Sequence, residues 1–486
     1  MNNRIYLILA LAFFAVSQSG YAQRLLSLQD AVFIAKSQSV AAKRAETRRD
    51  FGYWNYRVYA SSLGPQLNLE GTLPRFTRAY RGITQQDGSV EYRFQNQNLM
   101  DLELNIDQVI PLTGTQIFMG TSLSRSDDFN RDFIGYAGDP FSIGFIQPLF
   151  SFNRFKWDKK IEPLNLEESK REFVEELEQI SSITSAFFFD LLTAQISLQI
   201  AEQNVASNDT IYKIAQGRYE LGKIPENELL QLELSLMNSR QAVARAEVEL
   251  ETAQLILRSY LGLDPSENLE LVTPNVIPAF SVDEKKALEM AWVNRSDAVS
   301  FKRRMLEAEM MVENTVKEGG LNVDIFGRLG FSNNGAVVTD IYTRPENQLV
   351  ANVGFNIPLV DWGRQRALKK MADLNHQLTA YEVQTDTANF TQEIYTQVKS
   401  FDMLRGQVEI AAKADEISQK RYEISKNRYL IGKISITDLS LALTEKDRAK
   451  QDYLSALGAF WEAYYRLRSL TLYDFSSNEL LYTPEN

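Results

Sequence analysis

The sequence predicts an exported α+β membrane protein in which very long helices carry short amphipathic strands, the whole arranged as two tandem repeats. Three observations lead there. The chain opens on an export signal, a block of residues recurs at a constant spacing of 210, and its strand-like runs alternate with period 2 beside helices too long for an ordinary domain.

The export signal comes first. Asn2 to Arg4 are polar and basic, Ile5 to Val16 form a short apolar core, and Gly20-Tyr21-Ala22 is a small-x-small cleavage site. Residues 1–22 are therefore expected to be a signal peptide, with Gln23 as the mature N-terminus. The apolar run is shorter than the ~20 residues a membrane span needs. The chain has no cysteine, so the mature end cannot carry a thioether lipid. No other stretch is expected to be long and apolar enough for a transmembrane helix, which leaves a β-barrel as the way to cross a membrane.

The repeat organises the rest. Gly217-Arg-Tyr-Glu-Leu-Gly-Lys-Ile224 reads against Asn427-Arg-Tyr-Leu-Ile-Gly-Lys-Ile434. The same spacing pairs Pro148-Leu149 with Pro358-Leu359, Arg154 with Arg364, Tyr212 with Tyr422 and Asp264 with Asp474. Upstream, Leu67-Asn-Leu-Glu70 resembles Leu321-Asn-Val-Asp324 at a spacing of 254, so the first repeat carries 44 additional residues, the size of one more hairpin. The expected organisation is a first repeat over 23–264 with strands at 66–150 and a turn at 217–225. A linker at 265–281 follows. The second repeat covers 282–474, with strands at 321–358 and a turn at 427–435, and 475–486 form a tail.

The helices follow from pattern and from missing breakers. Residues 153–216 contain one proline, Pro163, and no glycine; residues 363–427 contain no proline. At 1.5 Å per residue each would be about 96 Å long. Shorter helices are expected at 27–63, 225–261, 283–318 and 435–470. The strands alternate: Leu67, Leu69 and Leu73; Leu102, Leu104 and Ile106; Val323, Ile325, Leu329 and Phe331; Leu349, Val353 and Phe355. Phe141, Ile143 and Phe145 make another. The additional hairpin is expected from 99–110 and 115–125, joined by Pro111–Gly114, with an aromatic loop at 129–136. Strands this few cannot close a barrel within one chain, so closure demands several copies.

The duplicated Arg-Tyr-x-x-Gly motifs, the Pro-Leu before each long helix and the tandem helix–hairpin–helix order resemble the TolC-type outer-membrane efflux family. The resemblance covers nearly the whole mature chain. It implies a long-helix α-barrel tunnel in the periplasm of a Gram-negative bacterium, and a transmembrane β-barrel in outer-membrane lipid, shared by a homotrimer. Members typically contribute four strands per chain, so the additional hairpin departs from the pattern. The resemblance implies a passive export conduit that works with a periplasmic adaptor and an inner-membrane RND or ABC pump. It also places Arg218, Tyr219, Arg428 and Tyr429 at the periplasmic tip, with Gly222, Lys223, Gly432 and Lys433 as the docking turn. Asp438, with Glu228 as its first-repeat equivalent, matches the first acidic gate position, whereas Leu441 stands at the second. Apart from any gate, an acidic residue at Asp438 also favours the first turn of a helix, and Tyr219 and Tyr429 also suit packing between helix ends.

Other functions find little footing. Lys and Arg number 52 against 63 Asp and Glu, a net charge of −11 that disfavours nucleic acid. With one histidine, His376, and no cysteine, neither a metal site nor a catalytic constellation is expected, and no phosphate loop or nucleophile elbow is present. No cofactor is called for. The alternative reading is an exported structural or adhesin-like coiled-coil protein, which leaves the alternating strands unexplained.

Overall fold

The computed structural model describes residues 24–265, 267–274 and 276–483; the expected signal peptide, 1–22, lies outside them. In chain order the elements are β1 (Arg24–Leu26), α1 (Leu28–Gln38), α2 (Val40–Ser62), β2 (Gln66–Thr84), β3 (Val90–Ile110), β4 (Thr115–Asp128), β5 (Phe133–Leu149), α3 (Arg154–Glu220), α4 (Glu226–Leu261) and β6 (Leu269–Leu271). The second repeat gives α5 (Glu284–Asn294), α6 (Ser296–Glu318), β7 (Asn322–Gly335), β8 (Glu346–Asn356), α7 (Arg364–Leu430) and α8 (Ile436–Thr471). A two-residue hairpin, β9 (Tyr473–Asp474) with β10 (Glu479–Leu480), follows.

The described residues divide into two compact units, one from within 1–50, 169–298 and 387–486, the other of 51–168 and 299–386. The first is helical. Its core holds Phe188, Leu191, Leu192 and Leu257 and an aromatic chain in which Phe401 meets Phe280 at 5.2 Å and Phe460 at 5.1 Å. Within it the buried carboxylate of Glu178 accepts from Lys36 at 2.5 Å and from Arg468 at 2.8 Å, and Arg468 also reaches Asp474 at 2.8 Å. A buried charge so surrounded is compensated, and removing one partner would strand the other.

Two expected helices are each broken. Instead of running 27–63, the helix stops at Ser39, whose backbone is extended (φ −62°, ψ 153°). Its fully buried hydroxyl accepts from the Ala42 amide at 3.0 Å and so caps α2. The second repeat breaks at the corresponding Arg295 (φ −71°, ψ 151°), where Glu175 accepts from both the amide and hydroxyl of Ser296. Neither break carries proline or glycine, so periodicity could not reveal it. Pro163, by contrast, sits inside α3 without ending it. The 265–281 stretch contains β6, which pairs parallel with β1, burying Leu269 and Leu271. One expectation is overturned: α3 contains an 18-residue window apolar enough to cross a membrane by length and composition. Phe188, Leu191 and Leu192 of this helix are buried in the helical core.

The second unit is built on one antiparallel six-stranded sheet in the order β2-β3-β4-β5-β7-β8. The additional hairpin of the first repeat is β3 and β4, turning through Gly114 at φ +74°. It stays in the sheet: β3 and β4 pair without a register shift from Gln97↔Asp128 to Ile110↔Thr115. The strands are longer than their apolar alternation suggested. β2 and β3 continue past a bulge at Thr72/Arg75 to the pair Thr84↔Val90. Arg75, Arg78, Arg81 and Arg93 stand there on both faces, which hides the alternation. The expected aromatic loop is shorter too, since Phe133 to Tyr136 already belong to β5.

Candidate functional site

Two places in the fold carry unusual chemistry. The first is the sheet. Its register sets Leu67, Ile106, Met119, Ile143, Leu329 and Leu349 side by side on one face. One residue along, the opposite face reads Asn68, Asn105, Gly120, Ser142, Gly330 and Gln348. Side chains alternate across a sheet, so a single strand pattern becomes one apolar and one polar surface. The apolar surface is open: Leu67, Leu329 and Leu349 are 64%, 57% and 75% exposed. On the polar face Gly144 leaves room for the Phe118 ring, which a side chain there would strike. Phe118 in turn stacks on Phe326 at 5.8 Å. Apolar residues also stand open at the helix-proximal ends, among them Phe150, Phe355, Leu359 and Trp362, the last 96% exposed. An alternating sheet with one dry and one wet face and aromatic ends is the arrangement of a membrane-spanning barrel wall.

The second place is the pair of turns between the long and short helices of each repeat. Both use the same backbone device. Gly222 and Gly432 take φ +64° and +74°. The Lys223 amide donates to the Arg218 carbonyl at 2.8 Å and the Lys433 amide to the Arg428 carbonyl at 2.9 Å. That closes a Schellman cap, which glycine enters without strain. The lysine side chains are exposed.

Beyond the backbone the two turns part company. Tyr429 is 2% exposed, within a cluster with Ile211, Ala215, Leu232 and Leu439; Tyr219, its repeat equivalent, is 40% exposed. Arg218 donates to the carbonyls of Tyr429, at 3.3 Å, and Leu430, and stands 5.8 Å over the Tyr429 ring. It thereby adds a second donor to the Tyr429 carbonyl, which already accepts from the Gly432 amide at 2.8 Å, and supplies one to the Leu430 carbonyl at the end of α7. The Tyr429 hydroxyl donates to Glu228 at 3.3 Å. Burial first, then the Glu228 carboxylate, push its phenol up to about 12. The Arg428 and Asp438 side chains are exposed.

Local sequence explains the difference. In the second repeat Ser435 caps α8, and Asp438 closes a capping box, accepting from the Ser435 amide at 3.2 Å and hydroxyl at 2.8 Å. In the first, the cap position is Pro225, which has neither amide hydrogen nor hydroxyl. Glu228 therefore has no capping partner and reaches across to Tyr429. The structure thus brings Arg218, Glu228 and Tyr429 together and leaves Tyr219, Arg428 and Asp438 apart from them. The fixed pair of turns, with its core Leu232 and Leu439, was not legible from the motif alone. Its signal was the contrast between proline and serine at the two caps.

His376 lines a surface cavity with Trp157, Glu309, Glu313, Lys370 and Asp373. Among the described residues no three His, Asp or Glu side chains converge as a metal ion would require.

Among solved structures the fold is similar to the CmeC outer membrane channel of Campylobacter jejuni, with a TM-score of 0.66 and 16% identity over 94% of this chain and 87% of that one. It is also similar to the outer membrane protein VceC of Vibrio cholerae (TM-score 0.66, 12% identity, 91% and 96% covered). The open-state MtrE outer membrane channel of Neisseria gonorrhoeae is a third (TM-score 0.60, 14% identity, 91% and 88% covered). Identities this low speak for the fold alone. A comparison with curated proteins returns no match. The sequence profile of the outer membrane efflux proteins matches residues 116–263 and 321–471, more than half of the chain and both repeats. The chain belongs to the outer membrane efflux protein family, a family of outer-membrane channels rather than of enzymes.

Proposed function

We propose that the chain is the outer-membrane subunit of a tripartite efflux or type I secretion assembly, a homotrimer that receives cargo from an inner-membrane RND or ABC pump through a periplasmic adaptor. The observation that carries this reading is the sheet, apolar on one face and unpaired at both edges, β2 and β8. Such a sheet is stable in lipid only when other copies close it. A coiled-coil adhesin would have no use for it.

Gating belongs to the paired turns. Within one chain Arg218, Tyr429 and Glu228 tie the first turn to the second. Arg428, Tyr219 and Asp438 occupy the same positions shifted by 210 residues and stand exposed. In a ring of copies they face the next chain, where the same three contacts repeat between subunits and hold the passage shut. Opening breaks the contacts between copies before those within a chain, because the latter are backed by the buried Tyr429. Lys223 and Lys433, at the Gly222 and Gly432 turns, offer the adaptor a basic surface.

Single-channel conductance in planar bilayers tests the gate. Glu228→Ala together with Asp438→Ala should raise conductance and, in cells, increase antibiotic leak. Unchanged values in both assays would remove the acidic gate. Native mass in detergent should give three copies per particle from the outer-membrane fraction.

A further inference from the structure

We infer that each copy contributes six strands, that β8 of one copy pairs with β2 of the next, and that the assembled channel ends in an eighteen-stranded barrel; the number eighteen rests on the trimer proposed above, the six does not. Two strands per repeat would make a twelve-stranded barrel in a trimer.

The sheet is continuous. The additional hairpin is not appended to the sheet but lies inside it, between β2 and β5. β3 pairs over its length with β2 and β4, and β4 with β3 and β5. The apolar row from Leu67 to Leu349 crosses all six strands without a polar member. Folding the hairpin away from the membrane would expose Leu102, Leu104, Ile106 and Ile117 to water and open two more ladder edges. Both penalties favour keeping β3 and β4 in the wall.

Parity comes next. The strands alternate in direction, and six is even, so β2 and β8 run in opposite directions. When copies are set side by side, β8 of one therefore meets β2 of the next in the antiparallel sense, the same sense as every other pair in the sheet. Six strands are also fewer than the eight of the smallest single-chain barrels, so β8 cannot return to its own β2.

Size follows from geometry. With strands about 4.8 Å apart and tilted by about 40°, eighteen strands enclose a backbone cylinder about 36 Å across, against about 24 Å for twelve. The exit would have roughly twice the cross-section.

The chain has no cysteine, so engineered pairs report cleanly. Val353→Cys or Leu349→Cys on β8 would be combined with Leu67→Cys or Leu69→Cys on β2, all on the lipid face. The control combines the same β8 positions with Ile117→Cys on β4. Oxidation in outer membranes should link copies through the β8–β2 pairs and leave the β8–β4 control unlinked. Linking through β4 instead, or through neither, would overturn the β8–β2 edge between copies. Electron cryomicroscopy of the unmodified particle provides the count independently. Eighteen strands in a three-copy particle is the expected result, and twelve in a three-copy particle refutes the inference. A particle with another number of copies but six strands from each would refute the trimer while leaving the β8–β2 edge standing.

Discussion

Glu175 sits half-buried on α3 with its carboxylate on the amide and hydroxyl of Ser296, at 2.6 and 3.1 Å. Burial raises its pKa from 4.5 to about 7, against the pull of Arg295 and the Ser296 bonds. An acid whose folded pKa is raised holds its proton in the folded state where the unfolded chain has released it. Its contribution is therefore most favourable below about pH 4.5 and is progressively lost as pH rises to about 7. Glu175→Gln should flatten this part of the pH dependence, so that melting temperatures of the detergent-purified protein at pH 5 and pH 8 move closer together than in the wild type. At Tyr429 the residue scale works in the other direction. Its hydroxyl stays protonated throughout the physiological range and acts as a donor to Glu228. Tyr429→Phe keeps the buried ring and removes one bond to a charged acceptor, a loss of about 1.5–3 kcal/mol that local hydrogen exchange around Glu228 should report.

Among the elements, the two short helices after the turns differ at a single capping position. Ser435→Ala removes the acceptor for the Asp438 amide and one anchor of the Asp438 carboxylate, and should cost about 1 kcal/mol of helix stability. Pro225→Ser should have the opposite local effect, offering Glu228 a capping partner and loosening its bond to Tyr429. The turns themselves depend on positive φ. Nothing lies within 4 Å of an added Cβ at Gly222 or Gly432. The cost of Gly432→Ala is then purely conformational, on the order of 1 kcal/mol, and should appear as faster proteolysis at the turn without loss of the sheet. Most of this was legible beforehand: the glycines, the proline and the acidic residues all stand in the repeated motif. What the motif could not reveal was that one tyrosine is buried and its twin exposed. The reason lies in residues outside the motif, because Ile211 and Leu232 of the first repeat make the pocket that Tyr429 fills.

At the scale of the molecule, the apolar face of the sheet is the feature that commits the chain to the outer membrane. Leu349→Arg or Val353→Arg places a charge on that face and should cost about 2–4 kcal/mol near mid-membrane, read as loss of assembled protein from the outer-membrane fraction. Gln348→Arg, one residue away on the polar face, should assemble normally and alter only ion selectivity. The contrast separates a membrane wall from a water-soluble sheet, where Gln348 and Leu349 would tolerate charge in the reverse order or alike.

The sequence by itself determined the two repeats, the long helices, the glycine turns and the amphipathic strands. Each of these is written in local pattern: a periodicity, a missing breaker, a residue type that alone suits its backbone. Tertiary structure decided the rest. It broke the paired helices at Ser39 and Arg295, where a buried hydroxyl and a carboxylate from another helix supply caps. It extended β2 and β3 into a hairpin whose arginines disguise its alternation, and it kept the additional hairpin inside the sheet. It also gave the two equivalent turns different surroundings. These outcomes depend on which residues meet across tens or hundreds of positions, and that information is carried by packing and not by spacing along the chain.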